Sequence, residues 1–107
     1  MKIKTSEIQG AALDWAVAQC EGISSEDYYE TFNEPYTPSI DWAQGGPIIE
    51  REVIVLIHPK HDCWTAHVYD KHRDDESYTL DGTTPLIAAM RCYVASKLGD
   101  EVDVPDL

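Results

Sequence analysis

The clearest periodicity lies near the C-terminal end. Leu86, Ile87, Met90, Tyr93, Val94 and Leu98 recur at helical spacing. Thr84 stands where an N-cap belongs, Pro85 at the first helical position and Gly99 at the stop. The pattern predicts a helix over residues 85–98 with one apolar stripe, from which Arg91 and Lys97 reach solvent or a carboxylate. The acidic residues 100–107 read as a frayed tail. A second helical pattern, Ile8, Ala11, Ala12, Trp15, Ala16, Gln19 and Cys20, runs near the N-terminus. Ser6 and Gln9 have the spacing of a capping box, with Ser6 as the N-cap. Gly10 unsettles the first turn and offers a later start for the regular helix, and Gly22 suits a left-handed C-terminal cap. Trp15 is expected as the anchor of the inner face.

Between these helices the period changes. Val53-Ile54-Val55-Leu56-Ile57 is a β-branched run suited to a strand buried on both faces, and Cys63 to Tyr69 alternates like a half-buried strand. The connector HPKHD is turn-sized, which predicts an antiparallel hairpin. A brief extended stretch is expected at Tyr78 to Leu80. Gly45-Gly46-Pro47 reads as the start of a short helix over PIIERE. The long connection of residues 23–46 holds Tyr28, Tyr29, Phe32 and Tyr36 among Glu26, Asp27, Glu30 and Glu34. It is too aromatic for plain disorder and longer than most connections in a compact domain, so it reads as an ordered, exposed and functional loop. The elements together predict a small single α+β domain over residues 1–99. Its N- and C-terminal helices pack on a central antiparallel hairpin or small sheet.

Composition narrows the partners more than the fold. The chain has 107 residues, 43% of them hydrophobic, enough for one core without a metal or disulfide. Its eight Lys and Arg against twenty Asp and Glu give a net charge of −12, which repels nucleic-acid phosphates and anionic membranes. Neither direct nucleic-acid binding nor membrane binding is expected. No apolar run approaches the ~18 residues of a spanning helix, and the N-terminus lacks the apolar stretch of a signal peptide. The expected location is the cytoplasm. Cys20, Cys63 and Cys92 are odd in number and widely spaced, which fits reduced thiols rather than a disulfide framework.

Four stretches carry a family resemblance: GAALDWAVAQCEG from Gly10, YTPSIDWAQGGPIIERE from Tyr36, the isolated Trp64-x-Ala66, and TPLIAAMRCYVASKLGDEV from Thr84. Together they resemble the phage NinX family of small proteins, found in phages and prophages of enteric bacteria. The order of features is more distantly similar to the phage ABA sandwich domain. The resemblance implies a phage accessory protein acting in the cytoplasm of the infected cell, and it transfers no catalytic residue. The acidic segment from Asp27 to Glu34 and the HPKHD connector depart from the family pattern.

Candidate chemistry is sparse. His58, His61 and Cys63 could offer two nitrogens and a sulfur, but the spacing matches no familiar closed zinc site, and surface turn histidines are commoner than ligands. No P-loop, nucleophile elbow, HExxH or GxGxxG is present, so no catalytic residue and no cofactor are assigned. The abundance of carboxylates makes chance proximity the expected explanation of any acidic pair. The most specific local feature is Asp41-Trp42-Ala43-Gln44-Gly45-Gly46-Pro47. Glycines before a helix can aim backbone N–H groups at an anion, and Gly82-Thr83-Thr84-Pro85 offers a second such start. A small anionic ligand of nucleotide type would then be held by Tyr36, Asp41, Trp42, Gln44, Gly45, Gly46, Arg51, Thr83 and Arg91, with Trp42 or Tyr36 stacking. The structural alternative, in which the glycines make the turn, Asp41 caps it and Trp42 is core, carries more weight. The favoured function is binding to a host or phage protein through an acidic, aromatic surface of Tyr28, Tyr29, Glu30, Phe32 and Glu34.

Overall fold

In the computed structural model, residues 1–23, 36–60, 62–69 and 77–106 are described. Their order is β1 (Lys2–Lys4), α1 (Gly10–Cys20), α2 (Trp42–Glu52), β2 (Val55–Lys60), β3 (Cys63–Tyr69), β4 (Ser77–Gly82), α3 (Pro85–Leu98) and β5 (Glu101–Asp103). Strands β2, β3 and β4 form an antiparallel meander with β3 in the centre, and β1 pairs antiparallel with β5 in a separate two-stranded sheet. The α+β class and the hairpin read from the sequence are those of the structure. His58, Pro59 and Lys60, expected as connector, belong to β2, where the register shifts between Ile57 and Lys60.

Helix α3 is the centre of the molecule. One side lies across β3 and β4, while α1 and α2 pack elsewhere on the same helix. Thr84 caps it by accepting from the Ile87 N–H at 3.1 Å, Pro85 opens it and Gly99 closes it, as the sequence predicts. Its single apolar stripe is not what forms. Leu86, Ala88, Ala89, Met90, Cys92, Tyr93, Val94 and Ala95 are all buried, and Leu98, expected inside, is exposed. A helix covered on several sides is apolar around most of its circumference, and its alanines let neighbouring backbones come close. Gly82 marks the tightest approach: a Cβ there would sit 2.5 Å from the Ala88 nitrogen.

Other boundaries move for local reasons. Ser6 does not cap α1; Gln9 takes that position without a side-chain bond, and the helix starts at Gly10. Helix α2 starts five residues before Pro47, because Asp41 accepts from the Ala43 N–H at 2.9 Å and captures the first turn. Gly45, Gly46 and Pro47 are therefore inside the helix. Strand β2 is not buried on both faces, since Val55 and Ile57 are 45% and 49% exposed. The sheet has α3 on one side, so alternate β2 residues look outward.

Two helices end alike with different residues. In α1, the Ile23 N–H reaches the Ala18 carbonyl and Gly22 takes the left-handed conformation, φ 78°. In α2, the Ile54 N–H reaches the Ile49 carbonyl, and the left-handed residue is Val53, φ 54° and ψ 51°. A β-branched residue there costs roughly 1–2 kcal/mol.

The acidic tail is not frayed over its described length. In β5, Val102 faces Ile3 in register and is buried, as is Val104 beyond it. The Thr5 N–H donates to the Asp100 carbonyl at 2.8 Å and the Val104 N–H to the Met1 carbonyl at 2.8 Å. Within β5 acidity is confined to the outward positions Glu101 and Asp103, a strand alternation that a charge count over eight residues conceals.

Candidate binding surface

The block singled out in the sequence forms a rigid turn running into α2. Asp14, buried on α1, accepts from the Ser39 N–H at 2.9 Å, and the Ile40 and Asp41 N–H groups both donate to the Thr37 carbonyl. Gln44 reaches back, its side-chain oxygen accepting from the Thr37 N–H. Burial pushes the Asp14 carboxyl above its ordinary value, while hydrogen bonds from Ser39 pull the other way. Gly45 then permits the approach that joins both helix starts: a Cβ there would stand 2.5 Å from the Pro38 carbonyl oxygen and 2.7 Å from Leu86 Cδ2.

This packing leaves a depression of about 200 Å³ lined by Ser39, Ile40, Trp42, Thr84, Pro85 and Leu86. Ile40 is 73% exposed and Trp42 54% exposed at its wall. Trp42 is thus not a core residue. The Asp41–Trp42 and Thr84–Pro85 starts do converge, with Gly45 at their contact, while Arg51 and Arg91 do not line the depression.

The cations expected here are engaged elsewhere. Arg51 makes a bidentate pair with Glu21, at 3.0 and 2.7 Å, and its Nε donates to Glu52 at 2.9 Å. The Tyr93 hydroxyl donates to the same Glu21 carboxylate at 2.6 Å, and Lys97 lies 3.6 Å from Glu52. This cluster ties the C-terminal ends of α1 and α2 to α3. Burial pushes the Glu21 carboxyl upward, but the Arg51 and Tyr93 hydrogen bonds outweigh it and hold it below its ordinary value. Arg91 is partly exposed, and its guanidinium nitrogens serve backbone oxygens. It donates to the carbonyls of Ile8, Asp81 and Glu7 at 2.7, 2.9 and 3.3 Å, fastening the start of α1 and the end of β4 to α3. No spacing rule reveals that a basic helix residue will serve three backbone oxygens.

Tyr36 is half-buried against the core, and burial with the nearby charges of Glu21 and Asp14 pushes its hydroxyl up to about 12. Thr83 is exposed in the turn before α3. Tyr28, Tyr29, Glu30, Phe32 and Glu34 lie outside the described residues, as does His61. His58 is exposed and stacks on Trp64 at 4.6 Å, and among the described residues no group of three or more His, Cys, Asp or Glu is placed to hold a metal. Cys92 is buried, and its thiol donates to the Tyr78 carbonyl at 3.1 Å. Ser39, Ile40 and Leu86 are lining residues that sequence reasoning missed altogether as a site, and Thr84 and Pro85 were read only as a helix start. Ile40 alone carried a signal, an apolar residue between a proline and an N-cap.

A family model described as Bacteriophage P22, NinX matches residues 4–97. The chain belongs to the NinX family. Membership makes this a phage accessory protein, as the sequence resemblance implied. The NinX match runs from the end of β1 to the last turn of α3 and so takes in the meander, the three described helices and the depression; β5 falls beyond it. No curated protein matches the chain. None of the described helices is long and apolar enough to cross a membrane.

Proposed function

We propose that this NinX-family chain works in the infected cytosol by binding a basic protein of host or phage origin, with Ile40 and Trp42 as its anchors. The supporting observation is that two large apolar side chains are held out in solvent on a turn that Asp14, Gln44 and Gly45 immobilise. A rigid tryptophan beside a depression of side-chain size loses little conformational freedom on binding, which is the character of an interface anchor. The net charge of −12 steers a basic partner toward it. The acidic, aromatic segment containing Tyr28, Tyr29, Glu30, Phe32 and Glu34 precedes this turn in the chain, and its composition suits the same basic partner.

Affinity capture from infected and uninfected lysates at low salt tests the proposal. The wild-type chain is expected to enrich a specific protein that Trp42→Ala and Ile40→Glu lose and that rising salt releases. Recovery of the same proteins on wild type and variants removes Ile40 and Trp42 from the function. A second reading, capture of a small anionic ligand of nucleotide type, draws on the two helix starts that border the depression and on Trp42 as a stacking surface. Among the described lining residues none is cationic, so backbone dipoles would carry the recognition. A nucleotide panel that leaves the thermal midpoint unmoved eliminates this reading.

A further inference from the structure

Among the described residues one carboxylate is buried, and it lies beneath the turn that presents Ile40 and Trp42. In α1, Leu13, Ala16, Val17 and Ala18 are buried as their apolar character dictates, and Asp14 is buried with them at 4% exposure. Its Oδ1 accepts from the Ser39 N–H at 2.9 Å, and the Ser39 hydroxyl donates to the same carboxyl. Ser39 is itself buried. Among the described residues no lysine or arginine pairs with Asp14.

The hydrogen bonds of the turn are of two kinds. Those from Ile40 and Asp41 to the Thr37 carbonyl, from the Thr37 N–H to Gln44 and from the Ala43 N–H to Asp41 close within residues 37–44 and set the turn's own shape. The bond from Ser39 to Asp14 reaches 25 residues back along the chain and fastens the turn to α1. Ile40 and Trp42 follow Ser39 directly, so this bond governs where the two exposed side chains stand.

A carboxylate taken out of water without a cation is costly, and hydrogen bonds from one serine offset only part of that cost. Burial accordingly pushes the Asp14 carboxyl upward against the pull of Ser39. The titratable and charged groups packed on this side do not reverse it. Tyr36, entering the turn, feels the Asp14 charge, but its hydroxyl is pushed up to about 12 and stays neutral, as does the Cys20 thiol of α1. Glu21 of α1 is matched by Arg51 from α2 and Tyr93 from α3, and Asp41 is turned to the Ala43 N–H. Lifting Ser39 from α1 readmits water to Asp14. Ionised Asp14 therefore favours the lifted turn, and protonated Asp14 the fastened one.

We propose that Asp14 is a proton-operated latch on the Ile40–Trp42 surface: protonated, it holds the turn against α1, and ionised, it lowers the cost of lifting the turn while the rest of the domain stays folded. Its use as regulation of that surface rests on the binding reading above; the latch itself does not. A partner that grips the fastened turn takes up a proton, and so binds more tightly as pH falls.

Amide hydrogen exchange followed by NMR on the full chain tests this, with the Asp14 carboxyl tracked by its carbon-13 shift. The Ser39 N–H is expected to exchange through a local opening, faster than the amides of Met90 and Val94 in α3. Its protection, relative to a free amide at the same pH, should fall by about threefold or more as pH rises through the Asp14 midpoint, since each pH unit between the fastened and lifted midpoints gives about tenfold. Asp14→Asn keeps an acceptor for Ser39 and has nothing to titrate, so its protection should be flat. Ser39→Ala keeps the N–H but loses the hydroxyl, and should move the Asp14 midpoint upward. No partner is involved, so these results decide the latch whether or not the capture experiment succeeds. Ser39 protection equal to that of Met90, or flat through the Asp14 midpoint, overturns the proposal. So does the same fall in Asp14→Asn, or an Asp14 midpoint that Ser39→Ala leaves unmoved.

Discussion

Val102→Ala tests whether the C-terminal strand is part of the core. Val102 is 6% exposed, faces Ile3 across the two-stranded sheet and belongs to the same buried cluster as Met90 and Val94. Truncation to alanine removes two carbons, at about 0.8 kcal/mol for each buried CH2. The space left is about 50 Å³, and at about 24 cal/mol per Å³ an uncollapsed cavity adds roughly 1 kcal/mol. The expected loss is therefore about 1.5–3 kcal/mol, from a domain whose stability is on the order of 5–15 kcal/mol. A loss of about 2 kcal/mol lowers the thermal midpoint by roughly 8–16 °C in a domain of this size. Urea unfolding followed by circular dichroism measures it directly. The midpoint should fall with an unchanged slope, because the surface exposed on unfolding is nearly the same. Glu101→Ala, on the exposed side of the same strand, is the control and should stay within about 0.5 kcal/mol. Equal, negligible effects of both substitutions would refute the reasoning and make the segment a solvated tail.

Gly45→Ala should cost about 1–3 kcal/mol in the same assay, because its Cβ meets the Pro38 carbonyl oxygen and Leu86, and neither backbone nor buried leucine yields easily; a neutral result would mean the turn and α3 are not in contact. Tyr93→Phe removes the 2.6 Å hydrogen bond to Glu21 and should cost about 1–3 kcal/mol near neutral pH. Glu21 has a lowered folded pKa, so the stability it supplies is present above its ordinary value of 4.5 and is lost as pH falls through the folded value. The gap between wild type and Tyr93→Phe should narrow over that acid range, and a constant gap would rule out this linkage. Asp14 has the opposite sign: its folded pKa is raised, so its stabilising share is complete below 3.8 and is lost as pH rises through the folded value. Unfolding free energies of Asp14→Asn relative to wild type should shift in favour of asparagine as pH rises from that range, and a flat difference would contradict it.

The sequence by itself determined those parts of the protein whose causes are local. Thr84, Pro85 and Gly99 bound α3 because a cap, a proline and a glycine act on their own backbone. Gly22 ends α1 for the same reason, and alternation along residues 63–69 places Ala66 and Val68 inside. The family was legible too, and its model matches residues 4–97, which hold nearly all of the stretches that carried the resemblance. Only tertiary structure could decide matters that depend on elements far apart in the chain. Whether α3 is covered on one side or several is set by where α1 and α2 come to rest, and periodicity within one helix carries no information about that. Whether residues 101–104 are a tail or a strand depends on β1, roughly a hundred residues away, which supplies the hydrogen bonds. The two helix starts meet because Gly45 lets Leu86 and Pro38 close on it, a contact that neither segment announces alone. The arginines read as anion ligands are consumed by Glu21, Glu52 and three backbone carbonyls, because a long cationic side chain satisfies whatever acceptor the fold brings within reach. Exposure of Ile40, Trp42 and Val53 is decided the same way: an apolar residue is legible in sequence, but the absence of anything packed over it is a property of the whole fold.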